Sequence, residues 1–165
     1  MLPRVLFLSS LLCLLSFPFQ GLMAQSGSYD QEVRDLLSRP AVARAMEFIL
    51  ELEPRTEEDL VYLTEIPAPP FMEGERAEAF ARLLREAGAD SVKLDEVGNV
   101  VAYRGGTSGD RTLVLGAHMD TVFPEGTDVT VRRRGDTLFA PGVGDDTRGM
   151  VVVLTVLRAL EEADI

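Results

Sequence analysis

The run Leu113-Val114-Leu115-Gly116-Ala117-His118-Met119-Asp120-Thr121-Val122 closes an apolar stretch on His-x-Asp. About one hairpin later comes a glycine-rich turn with two acids, Ala140-Pro141-Gly142-Val143-Gly144-Asp145-Asp146. An imidazole, a carboxylate, and a second carboxylate to orient the imidazole are what a zinc site requires. His118 and Asp120 stand two apart, so on extended backbone both project to the same face. Asp120 can then accept a hydrogen bond from the imidazole nitrogen turned away from the metal. That bond fixes the tautomer and raises ligand basicity. Asp145 sits where a helix begins; the glycines free the backbone there, and a helix N-terminus favours a carboxylate. His118 is the only histidine of the chain, so such a site is only partly encoded here. On spacing alone two plainer readings stand beside this one. His118 can be a structural or surface histidine at a strand end, and the Gly-Asp-Asp turn can be an N-cap.

These residues need elements to position them. Residues 112–117 are a continuous apolar run, as in a central strand covered on both faces. Residues 146–163 read as a helix with Val151, Val152, Val153, Leu154, Val156, Leu157 and Leu160 over most of its surface, hence deeply buried. Between them, residues 128–133 and 137–140 predict a hairpin around Gly135-Asp136. Earlier in the chain, residues 91–95 and 99–104 alternate like strands about a Val97-Gly98 turn. Residues 73–87 form an amphipathic helix with Ala77, Phe80, Leu83, Leu84 and Ala87 on one face and Gly88 as its stop. Pro67-Ala68-Pro69-Pro70 makes a loop. Thr56-Glu57-Glu58-Asp59 reads as a capping box opening a helix that runs to residue 66. Residues 30–52 are helical in pattern, divided by Pro40, and residues 25–29 are a polar linker. Met119 is expected to point away from the site into the packing. Residues 51–59 read as an acidic surface stretch, and Arg132-Arg133-Arg134 as the exposed end of the hairpin. The order of elements predicts an α/β fold, a layered domain with a mixed central sheet flanked by helices.

A chain of 165 residues suffices for one domain with a sizeable core. A net charge of -11 argues against a nucleic-acid partner, because phosphates would be repelled. Residues 1–24 read as a secretory signal: Arg4 in a short basic region, an apolar stretch over residues 5–19, and Ala24 as the cleavage position. The apolar stretch is short for a membrane span. Secretion or export to a periplasm follows, with an uncleaved N-terminal anchor as the alternative. Cys13, the only cysteine, lies in this segment, so the mature chain would have neither disulfide nor thiol chemistry. Residues 25–55 are then a linker and helical N-terminal extension, and residues 56–165 carry the site.

Two motifs, Gly116-Ala117-His118-Met119-Asp120-Thr121-Val122 and Ala140-Pro141-Gly142-Val143-Gly144-Asp145-Asp146-Thr147-Arg148-Gly149, carry a resemblance. The chain resembles the N-terminal part of the co-catalytic di-zinc exopeptidases and deacylases, the family of peptidase T, carboxypeptidase G, aminoacylase and acetylornithine deacetylase. Ile66-Pro67-Ala68-Pro69-Pro70 before a helix and Asp95-Glu96-Val97-Gly98-Asn99-Val100 add to it, and the similarity covers residues 57–165. The resemblance implies that His118 ligates one zinc and that Asp145 bridges two, with a cis bond to Asp146. It places Asp120 as the catalytic-site acid behind His118. Arg148 stands where many members have lysine; its plain reading is a charge in the first helical turn.

The implied cofactor is Zn2+, two per complete site, with cobalt or manganese able to take the same ligands. The implied reaction is hydrolysis of peptide or N-acyl amide bonds of small substrates by a metal-bridged water. The family's general base and the glutamate ligand after it lie a few tens of residues beyond the bridging aspartate. Glu161 and Glu162 fall too early for that pair and read as a solvated helix end. The family's further carboxylate, its late histidine and its inserted dimerisation domain have no match. The chain is therefore expected to be the N-terminal part of a longer, homodimeric enzyme and to be inactive alone. The alternatives are a non-catalytic α/β domain that binds a metal or a partner through a sheet edge, and a zinc-free interaction domain.

Overall fold

The computed structural model of the chain describes residues 26–106, 109 and 111–165. The expected signal segment, with Cys13 and Ala24, lies outside the described residues. The chain divides into two compact units, Met1–Arg39 and Pro40–Ile165. In the first, α1 spans Ser26–Leu37. It opens three residues ahead of Tyr29, so most of the stretch expected to be a linker is helical. Tyr29, Val33, Leu36 and Leu37 are exposed along it at helical spacing.

The second unit holds the site. It runs α2 (Pro40–Glu51), α3 (Glu53–Thr64), α4 (Gly74–Glu86), β1 (Ser91–Leu94), β2 (Val100–Tyr103), β3 (Arg132–Arg134), β4 (Thr137–Phe139) and α5 (Arg148–Glu162). Pro40 separates α1 from α2 because it supplies no backbone N–H to continue the ladder. α3 begins three residues before the expected capping box, with Pro54 in its first turn and no side-chain cap at Leu52. Thr56 is instead inside the helix and buried, its hydroxyl 3.4 Å from that of Thr155. Pro54 explains the shift: it suits a first turn, where its missing N–H has no partner anyway.

The core joins three helices: Leu60 and Leu63 from α3, Phe80, Leu83 and Leu84 from α4, and Met150, Val151 and Leu154 from α5. Apolar residues three and four apart on each helix face inward and leave water, which drives the packing. α5 buries one face only. Met150, Val151 and Leu154 are fully covered, but Val152 is 47% exposed and Val153, Val156, Leu157 and Leu160 are half-buried. The expectation of burial on nearly all sides held for the face against α3 and α4, where a second layer exists. Asp59 corrects another expectation. It is 2% exposed rather than a surface acid, and it accepts from Arg158 at 2.5 Å and pairs with Arg55 at 3.1 Å.

The strands form two separate antiparallel pairs. β1 pairs with β2 in the register Ser91↔Tyr103 to Leu94↔Val100, and β3 with β4 in the register Arg132↔Phe139 to Arg134↔Thr137. The turns close as the sequence predicts, at Gly98 and Gly135, both with positive φ. All three residues of β3 are exposed. The class is α/β, but the strands of the described residues make two hairpins rather than one mixed central sheet. Residues 112–117, expected to be its central strand, pair with no strand among the described residues, and Leu113 and Val114 are 83% and 82% exposed. A strand exists only through a neighbour about 4.8 Å away that satisfies its backbone. No described helix is long and apolar enough to cross a membrane.

Candidate metal centre

The backbone of residues 118–121 belongs to no ladder among the described residues. Two loops hold it. The Thr121 N–H donates to the Ala68 carbonyl at 2.8 Å, and the Thr121 hydroxyl reaches the same oxygen at 3.3 Å. From the other side, the His118 N–H donates to Asp146 Oδ2 at 3.2 Å, while Asp146 Oδ1 accepts from the Gly149 N–H at 3.1 Å. Asp146 thus ties the first turn of α5 to the histidine's own peptide. The Asp145–Asp146 peptide is cis. Gly142 turns the chain into this segment at φ 79°, and a side chain there would meet Thr121 Cγ2 at 2.7 Å. Only glycine combines that backbone angle with that close approach.

These contacts set the imidazole between two carboxylates. His118 Nδ1 lies 3.1 Å from Asp120 Oδ1 and 3.0 Å from the Asp120 carbonyl oxygen. Its Nε2 lies 2.9 Å from Asp145 Oδ1. Both acceptors on the Asp120 side require a proton on Nδ1. In a neutral ring Nε2 then carries a lone pair facing a carboxylate oxygen, and the two repel. A cation satisfies both, either a proton on Nε2 or a metal ion. In the metal-free chain the hydrogen bond to Asp145, foremost, and the contacts with Asp120 raise the His118 pKa, favouring the protonated ring. Two ligand atoms about 2.0 Å from one tetrahedral zinc stand about 3.3 Å apart, so the observed pair needs little adjustment to share an ion. The donor set fits zinc on this side. Among the described residues no group of three or more His, Cys, Asp or Glu side chains converges to hold a metal. Asp120 faces the opposite nitrogen and does not converge with Asp145.

The site is open. His118 is half exposed, and Asp145 is 86% exposed at its side chain. His118 and Asp120 line a cavity of about 280 Å³ with Phe71, Phe80, Val97 and Val100 on its walls. Met119, between them, packs against the core and also lines this cavity. Arg148 is exposed at the first turn of α5. Glu161 and Glu162 are exposed at its far end, paired with Arg104 and Arg44.

Sequence reasoning missed Arg76 and the part played by Asp146. Arg76 is fully buried on α4 and donates to the Met119 carbonyl at 2.9 Å. The signal was present: Arg76 shares its helical face with Ala79, Phe80 and Leu83, where a surface charge has no place. Asp146 was legible only as the second acid of the turn.

Comparison with known proteins meets the same residues. The model of peptidase family M28 matches residues 99–164, which contain His118, Asp120 and Asp145. Carboxypeptidase G2 from Pseudomonas sp. (strain RS-16) is 30% identical over 126 residues, 75% of this chain. The chain belongs to the di-zinc exopeptidase family. It spans 29% of the length of carboxypeptidase G2. As a di-zinc exopeptidase chain it carries the His-x-Asp and Gly-Asp-Asp motifs on two loops that meet through the His118 imidazole at Asp145 and the His118 N–H at Asp146.

Proposed function

We propose that this chain supplies the His118–Asp120–Asp145 part of a metallopeptidase or amide hydrolase active site, acting on peptide or N-acyl amide bonds of small substrates. The observation that carries the reading is the 2.9 Å approach of His118 Nε2 to Asp145 Oδ1, with Nδ1 engaged by Asp120. His118 and Asp145 would hold zinc, and cobalt or manganese suit the same donors. When bound, the metal supplies Lewis acidity toward a water and an amide carbonyl.

The chain's own residues prepare that site. Asp120 keeps the proton on Nδ1, so Nε2 presents its lone pair and the ring cannot turn. Asp145 offers one oxygen toward His118 and has a second free for a neighbouring ion, as a bridging carboxylate must. Asp146 anchors the histidine's peptide to α5 through its two oxygens. The apolar wall of Phe71, Phe80, Val97 and Val100 gives a substrate side chain a surface beside the imidazole. The matched peptidase family, and a relative whose name is carboxypeptidase, favour peptide bonds over other amides. Residues 1–24 support an exported location.

Equilibrium dialysis of the chain against zinc tests the reading. His118→Ala and Asp145→Ala are expected to abolish uptake at this site, and Asp120→Asn to weaken it by about 10- to 100-fold. Zinc uptake unchanged by His118→Ala would overturn it.

A further inference from the structure

α4 sets a charged side chain into the core beside this site. Arg76 is 0% exposed. A buried guanidinium is costly unless its donors are met. Here backbone carbonyls meet them. Nε and Nη2 donate to the Ile66 carbonyl at 3.1 and 2.6 Å, Nη2 also reaches the Thr64 carbonyl at 3.4 Å, and Nη1 donates to the Met119 carbonyl at 2.9 Å. Burial lowers the Arg76 pKa, and the charge of nearby Asp120 opposes that lowering.

The Met119 carbonyl belongs to the peptide that joins the histidine side of the motif to Asp120. Neighbouring groups are tied as well, the His118 N–H to Asp146 and the Thr121 N–H to Ala68. In a sheet, a ladder would hold all three. Residues 118–121 have no ladder among the described residues, so a guanidinium, a carboxylate and a loop carbonyl hold them instead. The Arg76 fork is the element that spans both sides. It grips the end of α3 and the loop after it at Thr64 and Ile66, and the motif at Met119.

We infer that Arg76 is the positioning residue of the metal site: by clamping the Met119 carbonyl to the residue 64–66 backbone, it holds His118 and Asp120 in the register that aims Nε2 at Asp145. This rests on reading His118 and Asp145 as metal ligands. Arg76 touches neither metal nor substrate in this role. Lysine cannot replace it fully, because an ammonium is a point charge without the planar fork that reaches two backbones at once.

The test uses the full chain, 15N-labelled, with Arg76→Met and Arg76→Lys. His118 is the only histidine, so one imidazole gives the signal. Three quantities are read: the His118 tautomer by long-range proton–nitrogen correlation without metal, at a pH where the ring is neutral; the zinc Kd by competition with a chelator; and the thermal midpoint. In the neutral, metal-free ring the two Asp120 acceptors at Nδ1 outweigh the single Asp145 carboxylate, which is 86% exposed and can turn to water, so the parent is expected to hold mainly the Nδ1–H tautomer. The Met variant is expected to make the tautomer mixture more even and to raise the zinc Kd about tenfold, the scale on which outer-shell partners act. The Lys variant should recover the thermal midpoint more than it recovers the tautomer or the Kd. Folded variants with an unchanged tautomer and an unchanged Kd would overturn the inference. Should the Met variant fail to fold, the Lys variant decides alone. Should His118→Ala leave zinc binding of the parent chain unaltered, the metal reading fails by itself, and the metal-free tautomer still decides the role of Arg76.

Discussion

Asp95 shows how one side chain makes a turn. Its Oδ1 accepts from the Val97 and Asn99 N–H groups at 3.0 and 2.8 Å, and its Oδ2 from the Asn99 side-chain amide at 2.8 Å. These bonds, that of the Asn99 side chain foremost, hold the Asp95 carboxyl below the usual carboxylate range. A carboxyl with a lowered folded pKa contributes stability above its unfolded pKa and loses it as pH falls through the folded one. Asp95→Ala is therefore expected to lower the thermal midpoint at pH 7. The deficit should shrink as pH falls below about 4, where both states take up the proton. Calorimetry across that range checks it, and a deficit of constant size would contradict the assignment. Asp95 was legible in the sequence as part of a turn motif. Its three bonds were not, since they depend on the backbone angles at Val97 and Gly98.

At the scale of elements, the start of α5 and its middle make separate demands. Gly149 lies in the first turn, where a Cβ would stand 2.1 Å from Asp146 Oδ1. Gly149→Ala must displace the carboxylate that holds the His118 and Gly149 N–H groups. It is expected to destabilise the fold by about 1–3 kcal/mol, the usual cost of overpacking, measured by denaturant unfolding. An alanine variant as stable as the parent would mean Asp146 has another place to go. Further along, Arg158 of α5 and Asp59 of α3 form a pair whose side chains are 12% and 3% exposed. Removing one partner leaves a charge with little water, so Asp59→Ala is expected to cost about 3 kcal/mol. A double replacement of Asp59 and Arg158 by apolar residues of similar size should cost less than that single change. The helices of this unit were legible because apolar residues recur every three or four positions. Asp59 was misread because burial of an acid depends on a guanidinium 99 residues away, which no local pattern reports.

For the whole molecule, the count of ligands matters more than any one distance. The chain has one histidine, and among the described residues no three His, Cys, Asp or Glu side chains converge on one metal. The 165-residue chain with excess zinc is accordingly expected to hydrolyse no peptide or N-acyl amino acid. Turnover that is lost in His118→Ala would show that the residues present suffice. The sequence by itself determined which hairpins and helices flank the two motifs, and the α/β class. Residue type, turn chemistry and hydrophobic period are properties of short stretches, and short stretches express them wherever they sit. Tertiary structure alone decided that His118 meets Asp145 and Asp146 across 27 and 28 residues. It also decided that Arg76 and Asp59 are interior, and that residues 112–117 run without a strand partner among the described residues. Burial, ion pairing and strand pairing each need a second element, and only the folded chain brings that element close.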